Sequence, residues 1–310
     1  MTEGTEERAA AGAPDICIVL NTRSGKGRGD RQAAIEAAME RHPGRFALRV
    51  VPKRSDPARE AGRAADAGAS TLVAAGGDGT ICAVAGIAHA RGLRLGVVPM
   101  GTFNYFARGL GLPEEPGAAL DLIARGESRP VAVGSVNGKL FLNNASLGLY
   151  PAILANREGT YRRWGRSRMA ARWSVVSTML RFRRPVRLRV AVDGRTLGRR
   201  TPLVFVARSA YQLEQFGLEG ADDVAAGRFA LFLAPDVGRW GLLRFAARLA
   251  TRRMTRGRDF DYVAGREIDI ETQARRRLVA RDGEREAMPS PFRFRMSETP
   301  LQVIAPGGGA

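Results

Sequence analysis

A five-residue run, Gly76-Gly77-Asp78-Gly79-Thr80, stands between an apolar stretch (Thr71 to Ala75) and a helix-like stretch (Thr80 to Ala90). Nothing else in the chain narrows its fold as far. Glycines at 76, 77 and 79 let the backbone turn sharply from strand to helix and present bare N–H groups. Such a turn at a helix start binds anions through its amides and the helix dipole. Asp78 is the odd member. A carboxylate beside phosphates is repulsive unless a cation separates them or the carboxylate handles a reacting hydroxyl. The combination points to phosphoryl transfer with Mg²⁺, with Asp78 as the residue that holds the metal. Thr80 is expected to cap the helix it opens. A plain Gly-rich turn is the competing reading of these five residues alone.

The run sits in an alternating series. Ile16 to Leu20, Phe46 to Val51, Thr71 to Ala75 and Arg94 to Val98 read as buried strands. Asp30 to Arg41, Ser55 to Ala67, Thr80 to Ala90 and Glu115 to Arg125 read as helices, with Ser55 as a cap and Gly68 as a stop. This order predicts a mainly parallel α/β sheet covered by helices, with ligands at the carboxyl ends of its strands.

Three loops leave the strands at those ends: Asn21 to Gly29, Gly76 to Thr80 and Pro99 to Asn104. The first is not a Walker A motif, because Leu20 stands in place of its first Gly and Gly27 in place of its Ser/Thr. Ser24 and the amides around Gly25 and Gly27 are still candidates for phosphate oxygens, with Lys26 as a point charge. In the third loop, Gly101, Thr102 and Asn104 offer an amide, a hydroxyl and a carboxamide to a base or phosphate. A solvated basic turn and a capped helix start are the bland readings of these two loops.

The second half changes character. Asn137-Gly138 separates the apolar runs Val131 to Val136 and Leu140 to Leu147, and Asp193-Gly194 separates Val186 to Val192 from Thr196 to Val206. Both dipeptides are hairpin signals. Val186, Leu188, Val190 and Val192 alternate with Arg187, Arg189 and Ala191, as in a half-buried strand. Phe229 to Leu233, Ile268 to Glu271, Leu278 to Arg281, Phe292 to Met296 and Leu301 to Ile304 are further strand candidates. Two helices, near Trp164 to Phe182 and Arg239 to Arg253, interrupt them. An antiparallel β domain therefore begins near residue 130, and Met1 to Pro14 reads as a disordered tail.

The formal net charge is +18, and of 49 basic residues only Lys26, Lys53 and Lys139 are lysines. Such an excess attracts polyanions, either nucleic acid or an anionic bilayer. No zinc finger, RNA-recognition motif or basic zipper is present, so no specific nucleic acid is expected. Instead, arginines crowd two helices that carry apolar residues: Met169, Trp173, Val176 and Leu180 at helical spacing in one, Trp240, Leu243, Phe245 and Leu249 in the other. Basic helices with aromatic anchors suit an anionic membrane surface, although a helix packed on the β domain with solvated arginines gives the same pattern. No run of 18 apolar residues occurs and no apolar leader opens the chain, so a cytoplasmic, peripherally membrane-associated protein is expected. Cys17 and Cys82 read as buried reduced thiols, and the two histidines form no Cys/His cluster for zinc.

Taken together, Asn21-x-x-Ser24-Gly25-x-Gly27, Gly76 to Thr80, and Pro99-x-Gly101-Thr102-x-Asn104 followed by Phe106-Ala107-Arg108 resemble the diacylglycerol kinase catalytic-domain family in order and spacing. That family includes bacterial lipid kinases and sphingosine kinases. Asp282-Gly283-Glu284 is similar to its downstream Asp-Gly-Glu segment. The resemblance implies a nucleotide-binding α/β domain (residues 15–130), a β-sandwich lipid domain (131–298), ATP in the cleft between them, and a last strand (299–306) that returns to the first domain. It implies a lipid kinase, with Asp282 as the base that takes the proton of a lipid hydroxyl and Glu284 as a further metal candidate. The hairpin turn is the competing reading of Asp282-Gly283. ATP and Mg²⁺ are the expected co-substrate and cofactor. A membrane lipid is the expected substrate, and a homodimer is left open. An NAD kinase-like enzyme and a nucleotide- or lipid-binding pseudokinase are the alternatives. Two departures bear on them. Tyr105 stands where many lipid kinases have Asp, and Ala207-Arg208-Ser209 stands where many bacterial members have Gly-Asn-Asn.

Overall fold

The computed structural model describes residues 14–22, 28–154, 156, 178 and 185–307. The tail expected before residue 14, the Ser24 to Gly27 turn and, apart from Thr178, the Trp164 to Phe182 helix lie outside the described residues. The chain divides into two compact units. One ends at Val131 and takes up the chain again from Pro300; the other is Ala132–Thr299.

The first unit is built on a six-stranded sheet. Its strands are β1 (Ile16–Leu20), β2 (Phe46–Val50), β3 (Thr71–Gly76), β4 (Arg94–Pro99), β5 (Ser128–Val131) and β18 (Leu301–Ile304), in the order β2-β1-β3-β4-β18-β5. All pairings are parallel except β18 with β5. β1 and β3 are buried at every residue, as strands covered on both faces must be. Each fully buried Ile, Leu or Val contributes roughly 1.5–3 kcal/mol. The helices are α1 (Arg28–Glu40), α2 (Pro57–Asp66), α3 (Asp78–Arg91), α4 (Tyr105–Gly109) and α5 (Pro116–Arg125).

Two expected caps are corrected here. Asp56, not Ser55, caps α2, and its side chain accepts from Arg59 N at 2.8 Å. The reason is Pro57, which fits the first helical position and so fixes the cap at the residue before it. Ser55 instead donates to Glu60 at 2.7 Å. Thr80 does not cap α3 either. The helix starts two residues earlier, with Gly77 at its N-cap and no side-chain cap bond.

The second unit is a pair of antiparallel six-stranded sheets. One has the order β10 (Arg195–Thr201), β9 (Val186–Val192), β14 (Glu267–Thr272), β17 (Phe292–Met296), β6 (Gly134–Val136), β7 (Lys139–Phe141). The other has β13 (Asp261–Gly265), β12 (Phe229–Leu233), β11 (Leu203–Ala207), β8 (Asn144–Gly148), β15 (Arg276–Arg281), β16 (Glu284–Pro289). Their inner faces share one core, in which the rings of Phe141, Phe229 and Phe294 touch one another. Helices of this unit include α6 (Ala210–Phe216), α7 (Ala221–Ala225) and α8 (Arg239–Ala250).

Two apolar runs that read as single strands are each divided between the sheets. Leu140 to Leu147 breaks after Phe141, and Thr196 to Val206 breaks at Pro202. The second break depends on a close crossing. Leu149 N donates to Pro202 O at 2.8 Å, and a Cβ on Gly148 would lie 2.3 Å from that same oxygen. Gly148 also sits at φ +88. Gly194, in the β9–β10 turn, has φ +82 but nothing within 4 Å of its missing Cβ. Gly148→Ala should therefore lower unfolding stability by about 3 kcal/mol, from left-handed strain plus overpacking. Gly194→Ala should cost only about 1–2 kcal/mol. Urea unfolding midpoints of the two variants measure the difference, and equal shifts would show that the crossing at Pro202 yields without cost.

Candidate functional site

In the first unit, three strand ends bring together Asn21, the Gly76 to Thr80 run, Gly101 and Asn104. Asn21 follows β1 and donates its main-chain N–H to Ala75 O (2.9 Å) and its carboxamide to Thr80 Oγ1 (2.9 Å). Thr80, expected as a cap, is thus buried and ties the first loop to α3. Gly76 ends β3 with its carbonyl accepting from Met100 N at 2.7 Å, and a Cβ there would lie 2.6 Å from Thr80. The loops after β3 and β4 then meet at two glycines. A Cβ on Gly101 would lie 2.7 Å from Gly77 Cα. Only a bare backbone permits this approach.

Asn104 locks the contact. It sits buried in the left-handed region (φ 49), where asparagine is tolerated. Its Oδ1 accepts from Gly101 N at 2.9 Å, and its own N–H donates to Asp78 Oδ2 at 2.9 Å. Asp78 lies in the first turn of α3, where a carboxylate is favoured by the helix dipole. The first-turn amides of Asp78, Gly79 and Thr80 have no acceptor within the helix, as at any helix start. Such a helix end suits an anion, and one carboxylate is fixed beside it. Thr102 is exposed at the loop tip, and Phe103, half exposed, stacks on Tyr105 at 5.4 Å between ring centroids. Arg108 is engaged by Glu114.

Among the described residues no three His, Cys, Asp or Glu side chains group as a metal site. Glu284 is exposed, at the start of β16 in the second unit. A single carboxylate with substrate phosphates does suit Mg²⁺, which keeps several waters and binds through one or two carboxylates. Asp78 fits that pattern.

In the second unit, Asp282 occupies the β15–β16 turn at φ 45, followed by Gly283 at φ 90, a backbone matched to a tight hairpin. The turn reading of Asp282-Gly283 is correct, but the side chain does more. It is buried, and its Oδ2 accepts from Leu142 N (2.7 Å) while Oδ1 accepts from Asn143 N (2.8 Å) and Asn144 N (3.1 Å). These are the amides that lose their ladder partners where Leu140 to Leu147 crosses between sheets. Asn144 passes the network on, donating to Gln212 Oε1 at 2.9 Å, and Arg208 N donates to Asn143 O at 2.7 Å. Asn143, Asn144 and Gln212 were not among the residues expected at a site. Their signal was present: two asparagines inside an apolar run must be satisfied from somewhere.

Three amides on one carboxylate make Asp282 a strut as well as a candidate base. Asp282→Asn turns one acceptor oxygen into a donor facing an N–H. It should lower stability by about 1–3 kcal/mol. A denaturation midpoint equal to wild type would show that the three bonds carry no net weight.

Comparison with known proteins agrees with this architecture. Residues 15–136 match the family model of the diacylglycerol kinase catalytic domain, and residues 151–305 match that of the YegS C-terminal NAD kinase beta sandwich-like domain. A "Probable lipid kinase YegS-like" protein of Pseudomonas aeruginosa (strain UCBPP-PA14) is 44% identical over 141 residues, which cover 44% of this chain and 46% of that protein. A diacylglycerol kinase of Staphylococcus aureus (strain MRSA252) is 38% identical over 136 residues, 42% of each chain. The chain thus matches less than half the length of these curated relatives. Among solved structures, a diacylglycerol kinase from Bacillus anthracis strain Sterne superposes with a TM-score of 0.64 at 17% identity, covering 94% of this chain and 96% of that one. Yeast NADH kinase complexed with NADH gives 0.57 at 10% identity, covering 96% and 85%. These two likenesses are of fold. The chain belongs to the family in which a diacylglycerol kinase catalytic domain precedes a YegS-type, NAD kinase-like β-sandwich domain.

Proposed function

We propose that the protein is an ATP-dependent kinase that transfers the γ-phosphoryl group to a hydroxyl of a membrane lipid, such as diacylglycerol or a sphingoid base. The observation that carries this reading is Asp78, fixed by Asn104 N–H in the first turn of α3 beside amides suited to phosphate oxygens. A site for phosphate storage alone would gain nothing from a carboxylate there. The phosphates are assigned to the α3 first turn and, from the sequence, to Ser24 to Gly27; Asn21, at the end of β1, is tied to α3 through Thr80. Mg²⁺, when bound, neutralises phosphate charge, and Asp78 is the residue that would hold it. Asp282, buried in the second unit and held by three main-chain amides, is assigned the proton of the lipid hydroxyl.

A second reading, nucleotide binding without transfer, is favoured by one observation. At residue 105 a stacked tyrosine stands in place of a second carboxylate near Asp78. Turnover separates the two. With labelled ATP and lipid hydroxyls in mixed micelles, wild type should phosphorylate a lipid. Asp78→Asn should fall by about 10²-fold or more at unchanged stability. Near-normal turnover in that variant removes Asp78 from the mechanism, and no turnover in wild type with any lipid favours the second reading.

The substrate class calls for membrane contact. Trp240, in the first turn of α8, is 81% exposed, and Arg244, one turn on, is exposed beside it. An exposed Trp on a basic helix suits the interface of an anionic bilayer. Co-sedimentation with vesicles should require anionic lipid and weaken as salt rises above about 0.1 M, where screening acts within about 10 Å. Equal binding to neutral vesicles would exclude this mode of attachment.

A further inference from the structure

Arg208 is a cation that its surroundings do not neutralise. It follows β11, whose last residue Ala207 lies opposite Asn144. Its N–H bond to Asn143 O puts it one peptide from the backbone that Asp282 holds. The side chain keeps partial exposure, yet its Nε is buried without a hydrogen-bond partner, and Nη1 donates only to the Val224 carbonyl at 3.2 Å. Among the described residues no carboxylate lies within ion-pair distance of it. Burial pulls its pKa below the usual arginine range, and no anion acts against that pull. Of the other half-buried arginines of this unit, Arg248 reaches Asp259 (2.9 Å), Arg281 reaches Glu286 (3.5 Å) and Arg295 reaches Asp269 (2.8 Å), while Arg277 shares with Arg208 a buried Nε that has no hydrogen-bond partner. On the same knot, Asn144 Oδ1 is buried and has no donor.

A charge taken from water without a partner is costly, and proteins keep such groups where they serve a ligand. A guanidinium fork matches phosphate oxygens two at a time. We propose that Arg208 is the receiving group of an anion site in the second unit, specific for a phosphate-like group, with the orphaned Asn144 Oδ1 available to a ligand hydroxyl. Under the lipid-kinase reading, on which only this assignment rests, the anion is a phosphate carried by the lipid, either that of the phosphorylated product or a headgroup phosphate on an acceptor that already bears one. Arg208 then favours lipids that bear a phosphate.

The test is binding, not turnover. The full chain is titrated calorimetrically with dihexanoyl phosphatidic acid, with dihexanoylglycerol (the same chains without phosphate), and with inorganic phosphate. Wild type should bind the phosphate-bearing lipid about tenfold tighter than the neutral one, the scale of one charge-assisted pair. Arg208→Met should erase that ratio, and Arg208→Lys should keep most of it. ATP affinity should be unchanged in both. Because the native cation is uncompensated, Arg208→Met should not lower Tm by more than about 3 °C. Loss of inorganic phosphate binding in Arg208→Met, with no preference between the lipids, identifies free phosphate as the source of the anion; loss of the lipid preference identifies the headgroup. An unchanged lipid preference together with unchanged phosphate binding overturns the proposal. So does a large fall in Tm with parallel loss of ATP affinity, which would make Arg208 a structural residue. A protein that shows the Arg208-dependent preference yet phosphorylates no lipid would sink the kinase reading and leave this site standing.

Discussion

A parallel sheet covered on both faces leaves polar chemistry only at its ends, and the first unit is organised by that constraint. β1 and β3 are buried along their whole length, and β4 for all but its first residue. Their carbonyl ends must still pass into turns, and there the buried strands bring loops from three distant parts of the chain within hydrogen-bond reach. The Gly77–Gly101 approach follows from strand spacing: β3 and β4 are direct neighbours, in register from Thr71 and Arg94 to Gly76 and Pro99. A side chain at Gly101 would meet Gly77 Cα and Asn104 Oδ1, each at 2.7 Å, and so disturb the joint that ties Asn104 to Asp78.

The second unit meets the opposite difficulty. Its strands pass from one sheet to the other, and each passage leaves main-chain amides unpaired in a buried place. At Leu142 to Asn144 the remedy is a carboxylate from a hairpin turn on the neighbouring strand pair. Thr201 serves at the other passage, its hydroxyl donating to Ala234 O at 2.7 Å and accepting from Leu203 N at 3.1 Å. Polar residues at such crossings are part of the architecture before they are part of any chemistry.

Most of the fold was legible because periodicity and turn chemistry agreed. The alternation Val186 to Val192, the Asn137-Gly138 and Asp193-Gly194 turns and the Gly-rich strand ends all carry local information. What was hidden depended on distant partners. β5, the edge strand Ser128–Val131, is half exposed and includes Pro130, so only its pairing with β18 makes it a strand. The split of Leu140 to Leu147 depends on Asp282, far along the chain. Thr80 looked like a cap because capping is a local rule, and Asn21 claims its hydroxyl from another strand end. In the candidate site, the members within one loop were readable; the joint made by Asn104 between two loops was not.

The placement of β18 has a consequence for how the chain acquires its structure. Leu301–Ile304 inserts between β4 and β5, which are themselves complete before the second unit begins. Until those four residues are made, β4 has an open edge, and the carbonyl and amide groups on that edge have only water to bond. The nucleotide-type unit thus cannot close its sheet from its own contiguous segment. Its final pairing spans the largest sequence separations in the molecule, a slow kind of contact to form. During synthesis the second unit can fold first, and the first unit waits as an unfinished sheet that invites capture by chaperones or by a foreign strand.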